Sequence, residues 1–197
     1  MLRVGITGGI GSGKSVVCQV FQTLGIPVFN ADEAAKYLME HDTALMNDIQ
    51  SLLGKGVYVN GKIDRVKVAE LVFADRSLLG QLNKLVHPAT IAYADDWMEK
   101  QTAPYVIKEA AIFFESGSNT EVQAMIGVYA PKELRITRAM NRSNLTWEKV
   151  LSIMNNQMDE DEKMGKCDYV ITNDDQSAVI PQVLKLHQLF LNRSSAS

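Results

Sequence analysis

Near its N-terminus the chain reads Gly8-Gly9-Ile10-Gly11-Ser12-Gly13-Lys14-Ser15. The run fits G-x-x-x-x-G-K-[ST], a phosphate-binding loop. Its glycines let the backbone curl so that successive N–H groups face an anion. Lys14 adds a point charge for β- and γ-phosphates, and the Ser15 hydroxyl can ligate Mg²⁺. Such a loop opens a helix, whose N-terminus carries partial positive charge and unpaired donors. The neighbours agree. Leu2 to Thr7 is an apolar-rich run that reads as a buried strand. Val17, Phe21 and Leu24 recur at helical spacing, and Gly25 and Pro27 stop that helix. The competing explanation, a glycine-rich turn with an incidental lysine, accounts for none of this context.

Further along, Pro27-Val28-Phe29-Asn30 predicts a second strand, then a helix from about Ala34 to Glu40 and another over Ala44 to Leu53. Val57-Tyr58-Val59 can form a short strand. Apolar stripes predict helices from Arg65 onward, with a new one starting at His87-Pro88, where a first-turn proline is tolerated, and ending near Gln101. Strands follow at Pro104 to Ala111, Met125 to Ala130 and Asp168 to Asn173, with helices over Lys132 to Arg142 and Thr146 to Met158 between them. A last helix buries Val179, Val183, Leu186 and Phe190, and Arg193 to Ser197 are expected to fray. Alternating strands and helices imply a parallel sheet with right-handed crossovers. The helical residues between the second and third long strands look like an insertion on that frame.

Composition narrows the function. The 197 residues suffice for one ample core with a small inserted domain, and 46% hydrophobic with 22% charged residues is ordinary for a soluble protein. A net charge of −3 argues against a dedicated nucleic-acid partner. No run is long enough for a membrane span, and the first residues lead straight into a strand, so no signal peptide and a cytoplasmic location are expected. Cys18 and Cys167 read as reduced thiols, and His41, His87 and His187 lack zinc spacing.

A phosphate-binding loop holds a nucleotide without saying what becomes of it. In open parallel sheets the remaining groups gather at the carboxyl ends of the strands. Asp32, just past the second strand, can orient or deprotonate an acceptor hydroxyl, or cap the helix that follows. Glu109 ends the third long strand, either as an acidic Mg²⁺ partner or at a strand end already in water. Arg138 and Arg142, four apart on a helix, can converge on a phosphoryl group. Arg135 reads as a solvated cation, Glu115 as a turn residue, and Asp159 to Glu162 as a solvated turn. His87 can cap its helix, and Arg65 can bind an anion or pair with Asp64.

Together these residues resemble the dephospho-coenzyme A kinases of the P-loop kinase superfamily. The likeness rests on Thr7 to Ser15, Ala31-Asp32, Gly61 to Arg65, Val86-His87-Pro88, Arg138 to Arg142 and Asp168 to Asn173, in order and at similar spacing. It implies a three-layer α/β P-loop kinase fold with a five-stranded parallel sheet. It further implies a nucleotide-binding core over residues 1–32 and 102–197, a helical acceptor-binding domain over 33–101 and a helical lid over about 135–160. The implied reaction is ATP-dependent phosphorylation of the ribose 3′-hydroxyl of dephospho-coenzyme A, with Mg²⁺, in a monomer or weak homo-oligomer. By the same likeness Gly11, Ser12, Gly13, Lys14, Ser15 and Val16 hold ATP phosphates, and Asn173 lies near the adenine. Asp32 is the base, Lys14, Arg138 and Arg142 assist transfer, Thr7, Arg65 and His87 join Asp32 on the acceptor, and Ser15 with Glu109 meets the metal. The chain departs from the family pattern at Glu109 and Asn30, where aspartate is usual, and at Ala111, where proline is usual. The alternatives are another P-loop kinase for a nucleoside, nucleotide or sugar, and a GTPase-like switch. The second would need a guanine-reading Asn-Lys-x-Asp, and Asn83-Lys84-Leu85-Val86 lacks the acid.

Overall fold

A computed structural model describes residues 1–195, without the side chains of residues 73, 76 and 143. In chain order its strands are β1 (Leu2–Thr7), β2 (Val28–Asn30), β3 (Tyr58–Val59), β4 (Lys62–Ile63), β5 (Tyr105–Glu109), β6 (Ala124–Tyr129) and β7 (Tyr169–Thr172). Its α-helices are α1 (Lys14–Thr23), α2 (Ala31–His41), α3 (Thr43–Leu53), α4 (Arg65–Ala74), α5 (Arg76–Glu99), α6 (Lys132–Ser143), α7 (Trp147–Met154), α8 (Glu160–Gly165) and α9 (Val179–Ser195). Contacts divide the chain into one unit of Met1–Asn30 with Gln101–Ser197 and a second of Ala31–Lys100.

In the first unit, five parallel strands lie in the order β2-β5-β1-β6-β7. The apolar runs are strands because both sheet faces are covered, so alternation is not needed. Val4, Ile6, Ile107, Ile126 and Ile171 form the sheet's core with Val17 and Phe21 of α1 and Val183 and Phe190 of α9. β5 departs from the apolar rule at its end, at Glu109 and, just before it, at Lys108. Buried with the rest of its strand, Lys108 is neutralised by an ion pair to Glu121, and its Nζ lies 5.7 Å from the Phe113 ring centre. The register sets Asn30 of β2 and Ile6 of β1 on either side of Glu109, at the edge where the glycine loop leaves β1.

The second unit is helical, with the small antiparallel β3–β4 hairpin beside it. Val57 belongs to a 3₁₀ turn over Lys55–Val57, so the strand expected at residues 57–59 shrinks to two residues paired with Lys62–Ile63. The predicted break at His87-Pro88 is absent. α5 runs through Pro88, which sits inside the helix and exposed. Its buried positions Leu82, Val86, Thr90, Ala94 and Met98 recur every four residues, so both halves present one face. An internal proline costs roughly 3 kcal/mol. Full burial of a large apolar side chain returns about 1.5–3 kcal/mol, so three of them (Leu82, Val86 and Met98) outweigh it. α2 also begins earlier than expected. Asp32 lies in its first turn beside Glu33 rather than capping it, where both carboxylates suit the helix dipole.

Asp159 to Glu162, expected as a solvated turn, form the start of α8. The Asp159 side chain accepts from the N–H groups of Asp161 and Glu162 at 3.0 and 3.2 Å. At the C-terminus, α9 holds Arg193 to Ser195 in helix, and residues 196–197 lie outside the described part.

Candidate functional site

The loop begins where β1 ends. Gly13 takes φ 95° and precedes α1, and among the described residues no side chain caps that helix. The backbone there favours glycine, and a Cβ at residue 13 would also push away the Asn173 amide nitrogen that donates to the Ser12 carbonyl. The first turn of α1 also carries no acidic residue, which keeps its amides suited to an anion.

Lys14 folds back over the loop. Its Nζ donates to the carbonyl oxygens of Gly8 at 2.8 Å and Gly9 at 3.4 Å, and lies 4.0 Å from Glu109 Oε1. Glu109 is buried, and its Oε2 accepts from Asn30 Nδ2 at 2.6 Å. A carboxylate in this position is tolerable because an amide and an ammonium both face it. The same carboxylate, after burial itself, helps push the Cys18 thiol up to about 12. Such a thiol stays protonated and inert.

On the other side, Asn173 bridges. Its Nδ2 donates to the Ser12 carbonyl at 2.9 Å, while its own carbonyl accepts from Arg138 Nη1 at 3.0 Å. Arg138 also pairs with Asp175. Arg142 lies one turn further along α6, exposed, as do Ser15 and Val16 on α1. Ser12 Oγ is buried and has no partner among the described residues. Thr7 is fully buried with its hydroxyl on the Ala111 carbonyl at 3.4 Å, so in this conformation it offers no surface to a ligand.

The remaining candidates belong to the second unit. Asp32 is exposed in the first turn of α2. Arg65 pairs with Glu40 at 3.2 Å rather than with Asp64, whose carboxylate caps α4 by accepting from Lys67 N–H. His87 is half-buried on α5.

Several groups that sequence reasoning passed over meet on the loop's outer side. Ile10 packs on the α6–α7 cluster of Ile136, Ala139 and Val150. The Ile10 N–H donates to Gln157 Oε1 at 3.0 Å, and the Gly9 N–H to Glu160. Glu160 and Arg135, both read as solvated, are buried and pair at 3.1 Å. Next to them Lys163, fully buried, donates to the Ala111 carbonyl at 2.8 Å and to Glu115 at 2.9 Å. Burial would raise the Glu115 carboxyl, but the Met158 N–H and the Lys163 ammonium outweigh it and hold it below its usual value. No local signal announced these residues, because each partner is 25 or more positions away.

Among the described residues no three His, Cys, Asp or Glu gather into a cage. The exposed Ser15 hydroxyl and the Glu109 carboxylate are hard oxygen donors that suit a Mg²⁺ ion completing its shell with phosphate and water. No helix among the described residues is long and apolar enough to cross a membrane.

Comparison with known proteins gives a consistent result. Residues 2–178 match the family described as dephospho-CoA kinase. The chain is 36% identical over 186 residues to a dephospho-CoA kinase of Bacteroides fragilis, covering 94% of this chain and 91% of that protein. A crystal structure from Thermus thermophilus superposes with a TM-score of 0.87 at 33% identity, over 95% of this chain and 96% of the other. A dephospho-CoA kinase from Campylobacter jejuni superposes at 0.70 with 27% identity, over 96% and 97%.

Proposed function

Because the chain belongs to the dephospho-CoA kinase family, we propose that it transfers the γ-phosphoryl group of ATP to the ribose 3′-hydroxyl of dephospho-CoA, giving CoA and ADP, the last step of CoA synthesis. The observation that carries the assignment is family membership across nearly the whole chain, joined to an uncapped helix N-terminus behind the Gly8–Ser15 loop. Phosphoryl transfer asks little of a protein beyond placement and charge. The residues of this chain supply both.

Loop amides from Gly11 to Val16 cradle the phosphates. The Lys14 ammonium exchanges the Gly8 and Gly9 carbonyls for β- and γ-oxygens. Arg138, next to Asn173 and the loop, and Arg142 offset charge on the transferring group from α6, whose packing with α7 forms the lid. Asn173 borders the adenine. Asp32 aims the hydroxyl and takes its proton, while Arg65 and His87 of the helical unit bind the acceptor; Thr7 joins them once its hydroxyl leaves the Ala111 carbonyl. Ser15, with Glu109, would hold Mg²⁺, which would supply neutralising charge for the phosphates. Lid closure keeps water from competing as acceptor.

A panel of acceptors with Mg-ATP tests the assignment. Dephospho-CoA is expected to be turned over far faster than nucleosides, nucleotides or sugars, and preference for any of those overturns it. Asp32→Ala is expected to bind ATP normally and to lose roughly 10²–10⁴-fold in transfer, the usual worth of a general base. Wild-type turnover by that variant removes the role from Asp32.

A further inference from the structure

Two N–H groups of the loop are already taken by side chains of the protein. Gly9 N–H lies 3.2 Å from Glu160 Oε2 and 3.4 Å from Oε1, and Ile10 N–H lies 3.0 Å from Gln157 Oε1. A carboxylate on a loop amide does what a phosphate oxygen does elsewhere on such loops. Glu160 is therefore a resident anion on the outer turn, beside the place where a triphosphate is held. Left alone, it would repel that ligand, and burial would make the repulsion long-ranged. It is not left alone. Arg135 Nη1 meets Glu160 Oε2 at 3.1 Å, and each side chain is only 8% exposed. The fit is close: a Cβ at residue 9 would collide with Arg135 Nη1 and come within 2.6 Å of Glu160 Oε2. Arg135 Nε has no partner among the described residues, so this guanidinium is placed by the ion pair rather than by a full set of hydrogen bonds.

We propose that Arg135 is the counter-charge that lets Glu160 fasten the outer turn of the loop without repelling the phosphates of the nucleotide. Arg135 is thus a positioning residue, acting on ATP through Glu160. The inference rests on the reading above that the loop holds a triphosphate. It also divides the loop's tasks: the Gly9 and Ile10 N–H groups bond protein side chains, Ser12 N–H closes a turn on the Gly9 carbonyl at 3.2 Å, and the remaining amides from Gly11 onward are left for the ligand. Since Arg138 follows Arg135 by three positions on α6, the same pair fixes the face from which Arg138 reaches Asn173.

The test compares dissociation constants for ATP and ADP, by calorimetry on the full chain, in wild type, Arg135→Met, Glu160→Gln and the double variant. Arg135→Met leaves a buried carboxylate without its counter-charge, and ATP is expected to bind about tenfold more weakly, with a smaller loss for the less charged ADP. Adding Glu160→Gln removes that charge, and the double variant is expected to return to within about threefold of wild type. A pair that merely packs predicts the reverse: the double no tighter than Arg135→Met, and equal losses for ATP and ADP. Either result overturns the proposal. Should Arg135→Met not fold, Glu160→Gln alone decides. It keeps an acceptor for Gly9 N–H and makes the site more positive, so ATP is expected to bind at least as tightly as in wild type, and weakening beyond about threefold overturns the proposal. CoA formation by wild type, followed alongside, reports on the substrate assignment. Its absence with ATP binding intact would sink that assignment and leave the charge-balance result to stand.

Discussion

The loop over residues 8–15 and the segment over residues 157–163 press against each other, yet they carry information in opposite ways. The loop is a local device. Its glycines, lysine and serine act through backbone shape and a helix start within the same eight residues. The segment caps its own helix through Asp159 but holds the loop only at long range. Gln157 and Glu160 bond loop amides about 150 positions away, and Lys163 reaches Ala111 and Glu115. One region is a pattern, and the other is a set of partners. A binding motif can therefore be complete in sequence while the groups that hold it in place are spelled nowhere near it.

Breaking the segment is expected to cost the fold more than breaking the loop. Lys163→Met leaves the Ala111 carbonyl without its donor and Glu115 with only the Met158 N–H, and it is expected to destabilise the chain by about 1–3 kcal/mol in denaturant unfolding. Replacing Glu115 as well, by Leu, should recover part of that loss. Lys14→Ala is the converse case. It takes the ammonium away from buried Glu109, which keeps its Asn30 partner, so it is expected to cost less stability than Lys163→Met and to cut turnover roughly 10²–10³-fold, as removal of one transition-state donor does. If Lys14→Ala unfolds the protein, or Lys163→Met only slows it, the contrast between the two regions fails.

What could be read from the sequence divides along the same line. The five parallel strands were legible because strands buried on both faces read as apolar runs, and the glycine loop was legible because its chemistry is contiguous. The continuity of α5 was not, since Pro88 is a local stop signal and the burial repeat from Leu82 to Met98 overrides it only once packed. Arg135 and Glu160 looked like ordinary surface charges. Charge type and spacing cannot say whether a side chain is buried when its partner lies 25 or 151 residues off. Glu109 stood between two readings, and its bond to Asn30 came from strand register, which a single strand does not reveal.

Smaller effects sharpen the contrast. Thr146 caps α7 by accepting from Lys149 N–H at 3.3 Å, so Thr146→Ala is expected to cost about 1 kcal/mol in thermal or denaturant unfolding, with catalysis nearly intact. The least effect is a pH dependence. The Glu115 carboxyl is held below its ordinary value of 4.5 in the folded chain, so its contribution is present above that value and lost as pH falls through the folded one. Glu115→Gln is expected to be less stable than wild type at neutral pH and to show a shallower loss of stability on acidification. A variant that tracks wild type throughout acid titration would show that the Lys163 pairing carries no stability.

The central claim is that the Gly8–Ser15 loop delivers a phosphoryl group to one particular alcohol. Its most direct test is to incubate the protein with dephospho-CoA, Mg²⁺ and ATP labelled in the γ-phosphate, then locate the label. The account predicts label on the ribose 3′-oxygen of newly formed CoA, with one ADP released for each. ATP consumed to free phosphate without CoA, or label on any other hydroxyl, contradicts it.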